Sequence, residues 1–450
     1  MRHYPHSCSE QICSKGLTLL YSLQDLSEEN FRTAKEMIPQ TIEALYSRQR
    51  SDGGIVYWPG AGKSNEWVSS MALEFLSAAK AEGFQVAQDV MSALVKYQKG
   101  CVNAYKRSTG YALDDLGQAY RLFSLAVSGN ADEASMNRLK LSGNLSWPAT
   151  MMLASTYSAC GKAAVGKEII DAFGDNSREW TPSDMTFGSS LRDNAIMLEA
   201  LVRSGDISGA VSNAAEILRN YNAGWWNTQE SFFIAKAFRE LSAKVTKDKI
   251  KAEVTNSKSK SERNGVTAWS IDSNAGVASV TNNSTGPVFV RFTAVSQPTP
   301  DAVIRSASNG GLELNVRYAG FENESIEAAE LVQGDEFTAV ISVGNYSSTG
   351  DFKNLALTYL IPSGWEIIND RLTGTEDNAD GKYDRLDIRD DRALIYFDLP
   401  MGTYKNFRIR LRAAYEGEYV LPSASCECMY DRSVNACTES EKCKVIRLGE

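Results

Sequence analysis

The chain has 450 residues, 43% of them hydrophobic and 10% aromatic, with a formal net charge of −9. That length and apolar content support about two to four packed domains. An acidic balance without a basic stripe argues against a nucleic-acid or anionic membrane surface, and no apolar run approaches the length of a membrane span.

In chain order, the first informative segment is Cys8-Ser9-Glu10-Gln11, where a helix is predicted to begin. One helical turn places positions i and i+3 on the same face, so the Cys8 thiol and the Gln11 carboxamide can meet. If the thiol displaces ammonia from that amide, the product is an internal thioester, an activated acyl group stable while dry. Taken alone, a Cys and a Gln in a first helical turn are more often a small buried thiol and a solvated amide.

Residues 1–245 read as helix after helix. Apolar positions recur at helical spacing in Trp67-Met71-Phe75, Tyr120-Phe123-Leu125, Met151-Leu153-Tyr157, Leu191-Ala195-Leu198-Leu201 and Phe232-Ala235-Phe238-Leu241. Turn residues such as Gly60-Ala61-Gly62, Ser128-Gly129-Asn130 and Ser204-Gly205-Asp206 separate them. Helices joined by short turns imply antiparallel hairpins, and a small-residue stripe through Ala72, Ala119, Ala154, Ala195 and Ala235 fits an α/α toroid.

Beyond about residue 249 the period becomes two. Strands are expected at Val266–Ile271, Val277–Val280 and Val288–Phe292, within a short β region spanning 246–300. Gln297-Pro298-Thr299-Pro300 forms a stiff linker. Residues 301–450 then read as a β-sandwich, with strands at 312–316, 337–343, 355–360, 393–397 and 407–411. The expected fold class is multidomain, α then β: a toroid of helical hairpins followed by β-strands and a sandwich.

Of eight cysteines, Cys426, Cys428, Cys437 and Cys443 crowd the C-terminal end. Their spacing is not that of paired zinc ligands, and an oxidising compartment would favour a disulfide, whose pairing the sequence leaves open. Glu376, Asn378, Asp380 and Asp387 approach a calcium loop, but the first and last ligands are wrong in type, so an acidic hairpin is expected and no metal or cofactor is assigned. The only histidines, His3 and His6, leave little basis for a nucleophile–His–Asp arrangement. A toroid can also hold glycosidase carboxylates, and Asp114, Asp115, Asp193 and Glu199 are the candidates, although helical carboxylates are mostly solvated surface.

Tyr4-Pro5-His6-Ser7-Cys8-Ser9-Glu10-Gln11 resembles the thioester segment of bacterial alpha-2-macroglobulins, usually Tyr-Pro-x-Gly-Cys-x-Glu-Gln, with Ser7 departing from the glycine. Gly53-Gly54-Ile55-Val56-Tyr57-Trp58-Pro59, Ala119-Tyr120-Arg121-Leu122 with Met136-Asn137-Arg138-Leu139, and Leu191-Arg192-Asp193-Asn194-Ala195 are similar to further stretches of that family. So are Ile361–Glu366, Asp387–Arg392 and Cys428-Met429-Tyr430-Asp431 near its C-terminus.

The resemblance implies a thioester domain over 1–245, part of a CUB-like region over 246–300 and a terminal macroglobulin-like domain over 301–450. It implies the C-terminal part of a longer bacterial defence protein of the periplasm or cell envelope. The targeting signal, a lipid anchor and a bait segment would lie in upstream domains of the same protein. By this resemblance the function is inhibition of proteases, trapped covalently through lysine amines. Cys8 and Gln11 form the thioester; Tyr4, Trp58, Met429 and Tyr430 shield it. The event is single-turnover, hence an endopeptidase inhibitor and not an enzyme. A covalent surface adhesin or tag is the alternative use of the same bond.

Overall fold

The computed structural model describes residues 7–23, 26, 28–106, 115–173, 186–220, 227–245, 251–256, 259–264, 278–284, 288, 290, 304–368 and 383–447. Tyr4, His3, His6, Asp114, the strand expected at Val266–Ile271, the Gln297–Pro300 linker and Glu376, Asn378 and Asp380 lie outside them. The chain divides into two compact units, Met1–Thr293 and Ala294–Glu450.

The described residues of the first unit form eleven helices: α1 (Ser9–Ser22), α2 (Glu28–Tyr46), α3 (Glu66–Ala81), α4 (Gln88–Ala104), α5 (Asp115–Val127), α6 (Glu133–Leu141), α7 (Trp147–Ala159), α8 (Ala163–Phe173), α9 (Ser190–Ser204), α10 (Ile207–Asn220) and α11 (Thr228–Val245). Their packing follows a simple rule. The odd-numbered helices touch in sequence, α1 on α3, α3 on α5, and so on to α11, which returns to α1. Six inner helices thus close a ring, and each even-numbered helix lies outside, against the two inner helices that flank it in sequence. Burial agrees: α3, α5 and α7 are buried around most of their circumference, whereas α4, α6, α8 and α10 bury a single stripe. The result is the α/α toroid.

Local sequence sets the helix starts. Asn65, Asp132, Ser146 and Ser189 each accept a backbone N–H as N-caps of α3, α6, α7 and α9. Gly205, at φ 89°, ends α9 in the left-handed conformation that glycine adopts without a steric penalty. Gly16 sits mid-helix in α1, where a glycine costs about 1 kcal/mol relative to alanine. A Cβ there would come within 2.5 Å of the Phe75 ring and 3.0 Å of Thr41, so its absence lets α1 approach α3 and α2 closely.

After the helices come β1 (Lys251–Asn256), β2 (Ser259–Asn264) and β3 (Ser279–Asn282), an antiparallel sheet in the order β2-β1-β3. The second unit contains β4 (Ala307–Asn309), β5 (Leu312–Ala319), β6 (Ser325–Ile326), β7 (Glu330–Val332), β8 (Glu336–Asn345), β9 (Phe352–Leu360), β10 (Trp365–Ile367), β11 (Arg385–Arg389), β12 (Arg392–Leu399), β13 (Tyr404–Ala413), β14 (Gly417–Leu421), β15 (Ser425–Cys428), β16 (Asp431–Cys437) and β17 (Glu441–Ile446). Its two larger sheets run β10-β13-β8-β5-β6 and β11-β12-β9-β15-β16-β4; a third, β14-β17-β7, pairs β17 with β7 in parallel. One core cluster joins Leu312, Ile341, Val343 and Phe407 of the first sheet to Leu355, Leu357, Ile395 and Phe397 of the second, and the Phe397 and Phe407 rings lie 4.8 Å apart. This is the expected sandwich, and all five strands expected there are present.

Of the clustered cysteines, Cys426, Cys428 and Cys443 belong to this second core, whereas Cys437 is only partly buried. Cys426 and Cys443 are buried, and burial pushes the Cys443 thiol up to about 11. Among the described residues Cys426, Cys437 and Cys443 form no disulfide, in contrast to the expectation above. Cys437 instead donates its thiol to the Arg305 carbonyl at 3.5 Å.

Candidate functional site

Cys8 is the N-cap of α1, in extended conformation at φ −65°, ψ 162°. Its Sγ accepts the Gln11 backbone N–H at 3.5 Å, and its own N–H donates to Gln11 Oε1 at 3.3 Å. This is a reciprocal capping box with sulfur in the place of the usual hydroxyl oxygen. The i, i+3 spacing that satisfies two orphan helix donors is therefore the one that brings a thiol and a carboxamide together. Cys8 is fully buried and Gln11 is 4% exposed, so this turn is dry.

The segment is held on three sides within the toroid unit. The Ser9 N–H donates to the Tyr57 carbonyl at 2.9 Å, so the Gly53–Pro59 loop caps α1. Asp52 shapes that loop by accepting from the Gly54 N–H and the Ser64 hydroxyl. Tyr57 stacks on Phe187 at 5.3 Å between ring centroids and meets Trp58 edge-on. Phe187 adopts φ 50°, a conformation that costs a bulky residue free energy and persists only where surroundings enforce it. Arg48 donates to the Ser7 carbonyl at 3.0 Å and to Ser9 Oγ at 3.1 Å, bracketing Cys8 from both flanks. Beneath lies Glu10, fully buried, accepting from the Ser14 and Thr228 hydroxyls and the Gln229 amide.

Further into the ring, charges are buried and compensated. Lys236 of α11 lies 3.1 Å from Glu74 and 2.9 Å from Glu199, and its ammonium sits 4.3 Å from the Phe123 ring centroid. Glu74 also accepts from the Tyr21 and Tyr120 hydroxyls, each at 2.6 Å. Burial and then the Glu74 charge push both phenols well above their ordinary values. Burial favours the neutral form of Glu199, but Lys236 and Arg203 outweigh it and hold this carboxyl below the usual range. Arg192 pairs with Asp193, donates to the Thr186 carbonyl at 2.9 Å and covers the Trp67 ring.

This corrects the view of these carboxylates as solvated surface. Asp115, Asp193 and Glu199 are all buried: Asp115 accepts from the N–H and hydroxyl of Ser146, while the others are ion-paired. Among the described candidates, Asp115, Asp193 and Glu199 are thus each engaged by a structural partner, which gives the glycosidase alternative no support.

Of the expected shield residues, Trp58 is 7% exposed within the loop that caps α1. Met429 and Tyr430 lie in the second unit, in the turn between β15 and β16; Met429 is buried and bonded through its N–H to the Asn354 carbonyl. Glu10, Arg48, Phe187, Thr228 and Gln229 had no assigned role from sequence. The Asn227-x-x-Glu230 spacing at the α11 terminus is a helix-start signature that the sequence reading above did not use. Among the described residues no group of His, Cys, Asp and Glu is placed to hold a metal, and no helix is long and apolar enough to cross a membrane.

Residues 287–432 match the bacterial alpha-2-macroglobulin MG10 domain family. Along 99% of its length the chain is 23% identical to the alpha-2-macroglobulin of Escherichia coli K12, of which it covers 29%. It is 24% identical over 95% of its length to that of Xylella fastidiosa Temecula1, covering 28%. The chain therefore spans less than a third of these curated relatives. In fold it resembles native E. coli alpha-2-macroglobulin from domain MG7 to the C-terminus, with a TM-score of 0.76, 19% identity and coverage of 99% of this chain and 74% of that one. It also resembles the Salmonella alpha-2-macroglobulin reacted with methylamine, with a TM-score of 0.78, 19% identity, and coverage of 99% and 30% respectively.

Proposed function

Because this chain is a relative of the bacterial alpha-2-macroglobulins, matched to their C-terminal part, we propose that it is the reactive portion of a covalent protease trap whose internal thioester joins Cys8 and Gln11. The observation that carries this reading is the reciprocal cap at the start of α1, which holds the thiol and the carboxamide on one buried turn.

Bond formation follows from that geometry. Cys8 Sγ attacks the Gln11 carboxamide carbon, the S–C bond forms, and the amide nitrogen leaves as ammonia with the thiol proton. The Cys8 N–H already donates to Gln11 Oε1, the oxygen on which negative charge develops during attack. In the trapping step a lysine amine of the protease attacks the same carbon. An isopeptide bond forms, the C–S bond breaks, and the amine's proton returns to sulfur. The positive end of the α1 dipole favours sulfur leaving as thiolate. Each chain reacts once, so it inhibits and does not turn over.

No histidine follows His6 in the sequence, so the later helices offer no imidazole to relay the acyl group, and His6, two residues before Cys8, is the alternative relay. Direct attack is the route proposed over that relay, and it favours a neutral amine over a hydroxyl or water. Trp58, Tyr4, Met429 and Tyr430 serve as the shield that keeps water from the bond. Residues 1–245 act as the thioester domain, 246–300 as part of a CUB-like region, and 301–450 as the terminal macroglobulin-like domain. The intact protein works in the cell envelope, held there by a lipid signal upstream of this region.

Intact-mass spectrometry tests the central claim. Native protein is expected to be lighter than its sequence mass by one ammonia, and methylamine, the reagent used with the Salmonella relative, is expected to add once while exposing one thiol. Cys8→Ala and Gln11→Ala should each abolish both changes. Full sequence mass, an unhydrolysed Gln11 peptide and no methylamine-dependent thiol would refute the thioester.

A further inference from the structure

Glu10 lies between the two proposed reacting residues in sequence, yet its carboxylate faces inward to the ring. It is fully buried and accepts from the Ser14 hydroxyl at 2.6 Å, the Thr228 hydroxyl at 2.9 and 2.8 Å, and the Gln229 Nε2 at 2.7 Å. Gln229 in turn accepts the Trp67 indole N–H through Oε1 at 3.3 Å. These donors come from α1 itself and from α11, with α3 one bond further on.

The start of α11 is itself rigidly held. The Asn227 side chain accepts the Glu230 N–H at 2.8 Å, the Glu230 side chain accepts the Asn227 N–H at 3.3 Å, and the Ser189 hydroxyl, the cap of α9, donates to Glu230 at 2.6 Å. Three successive α11 residues thus tie α9 to the first turn of α1, Glu230 by accepting from Ser189 and Thr228 and Gln229 by donating to Glu10.

We propose that Glu10 is a positioning residue for the Cys8–Gln11 bond, fixing the first turn of α1 against α11; the inference rests on the thioester reading above. The physical reason is that a first helical turn lacks intrahelical partners for its N–H groups and frays unless tertiary contacts hold it. Glu10 shares its backbone with that turn, so anchoring its carboxylate to α11 fixes the distance between Sγ and the Gln11 carbon. A carboxylate suits this place because charge-assisted hydrogen bonds are stronger than neutral ones and the helix N-terminus favours a negative charge. In this role Glu10 acts through the backbone of residues 8 to 11 and not on the reacting atoms.

The test measures three quantities on the full chain: the fraction carrying the thioester, from intact mass; the rate of spontaneous thiol release; and the melting of the helical unit. Glu10→Gln keeps the shape but places a donor against the Gln229 amide or the Thr228 hydroxyl. It is expected to lower the thioester fraction and to speed thiol release per folded molecule about tenfold, equivalent to about 1.4 kcal/mol. Adding Gln229→Glu exchanges the partners and is expected to bring release back toward the wild-type rate. Should Glu10→Gln fail to fold, Thr228→Val, which removes one hydroxyl, is expected to give a smaller increase of about threefold. The inference is overturned if Glu10→Gln, or Thr228→Val in its place, melts lower but releases thiol at the wild-type rate, or if the exchanged pair gives no recovery. Wild type with no ammonia loss and no methylamine-dependent thiol would instead refute the thioester itself, so the two failures are separable.

Discussion

Replacing Lys236 with methionine keeps most of the side-chain volume while removing a buried positive charge. In the native ring this ammonium is 1% exposed, 3.1 Å from Glu74 and 2.9 Å from Glu199. Glu199 keeps Arg203, and Glu74 keeps the Tyr21 and Tyr120 hydroxyls, so neither carboxylate loses every partner. Stranding one partner of a buried pair typically costs about 3–5 kcal/mol. The cost has a ceiling, because a carboxylate without its cation can take up a proton. From the reference Glu value that costs about 3–4 kcal/mol at pH 7 and about 1 kcal/mol at pH 5. Lys236→Met is therefore expected to destabilise the helical unit by about 3 kcal/mol at pH 7. For a unit of this size that lowers the melting temperature by about 6–12 °C, with a much smaller loss at pH 5. Thermal melting followed by far-ultraviolet circular dichroism at both pH values measures it. A loss under about 1 kcal/mol at pH 7, or equal losses at the two pH values, would refute the reasoning.

Tyr430→Ala is expected to speed spontaneous thiol release several-fold while moving the melting temperature by no more than about 2 °C; equal release rates in mutant and wild type would remove Tyr430 from the shield. Protein exposed to equimolar methylamine and glycerol should carry the amide at Gln11, read by mass of the Gln11 peptide, and a predominant glycerol ester would contradict direct attack. Gly188→Ala should destabilise the helical unit by about 2 kcal/mol, since the new Cβ would lie 2.2 Å from the buried Arg192 guanidinium; an unchanged melting curve would show that Arg192 can move aside. Glu427 is raised by burial to about 7 from a reference value of 4.5, so the folded second unit holds a proton that the unfolded chain releases between those values. Its stabilising effect is therefore present at low pH and lost as pH rises through about 7. Glu427→Gln should stabilise that unit by about 1–3 kcal/mol at pH 8 and by little at pH 4, and no difference between the two would refute the shift.

Much of the architecture is legible locally. The expected helices around Trp67, Tyr120, Met151, Leu191 and Phe232 correspond to α3, α5, α7, α9 and α11, all inner helices of the ring. Their burial on several sides demands dense apolar residues, which makes their period conspicuous. The strands read at 312–316, 337–343, 355–360, 393–397 and 407–411 became β5, β8, β9, β12 and β13, the strands whose alternation feeds the sandwich core. Short strands such as β6, β7 and β10 escaped notice because two or three residues cannot display a period.

The Cys8–Gln11 approach was readable for the same reason, since three residues of helix span one turn and nothing distant is needed. What surrounds that turn was not. Glu10 and Gln229 meet across 219 positions of sequence, and Tyr21 and Glu74 across 53. Asp193, Glu199 and Lys236 carry ordinary surface signatures in sequence, yet the closed ring buries all three. Backbone periodicity is settled by neighbours within about four residues, so the sequence alone determined α then β and the meeting of thiol with amide. The neutralisation of buried charge depends on donors from helices far along the chain, and only closure of α11 onto α1 decided which groups those are.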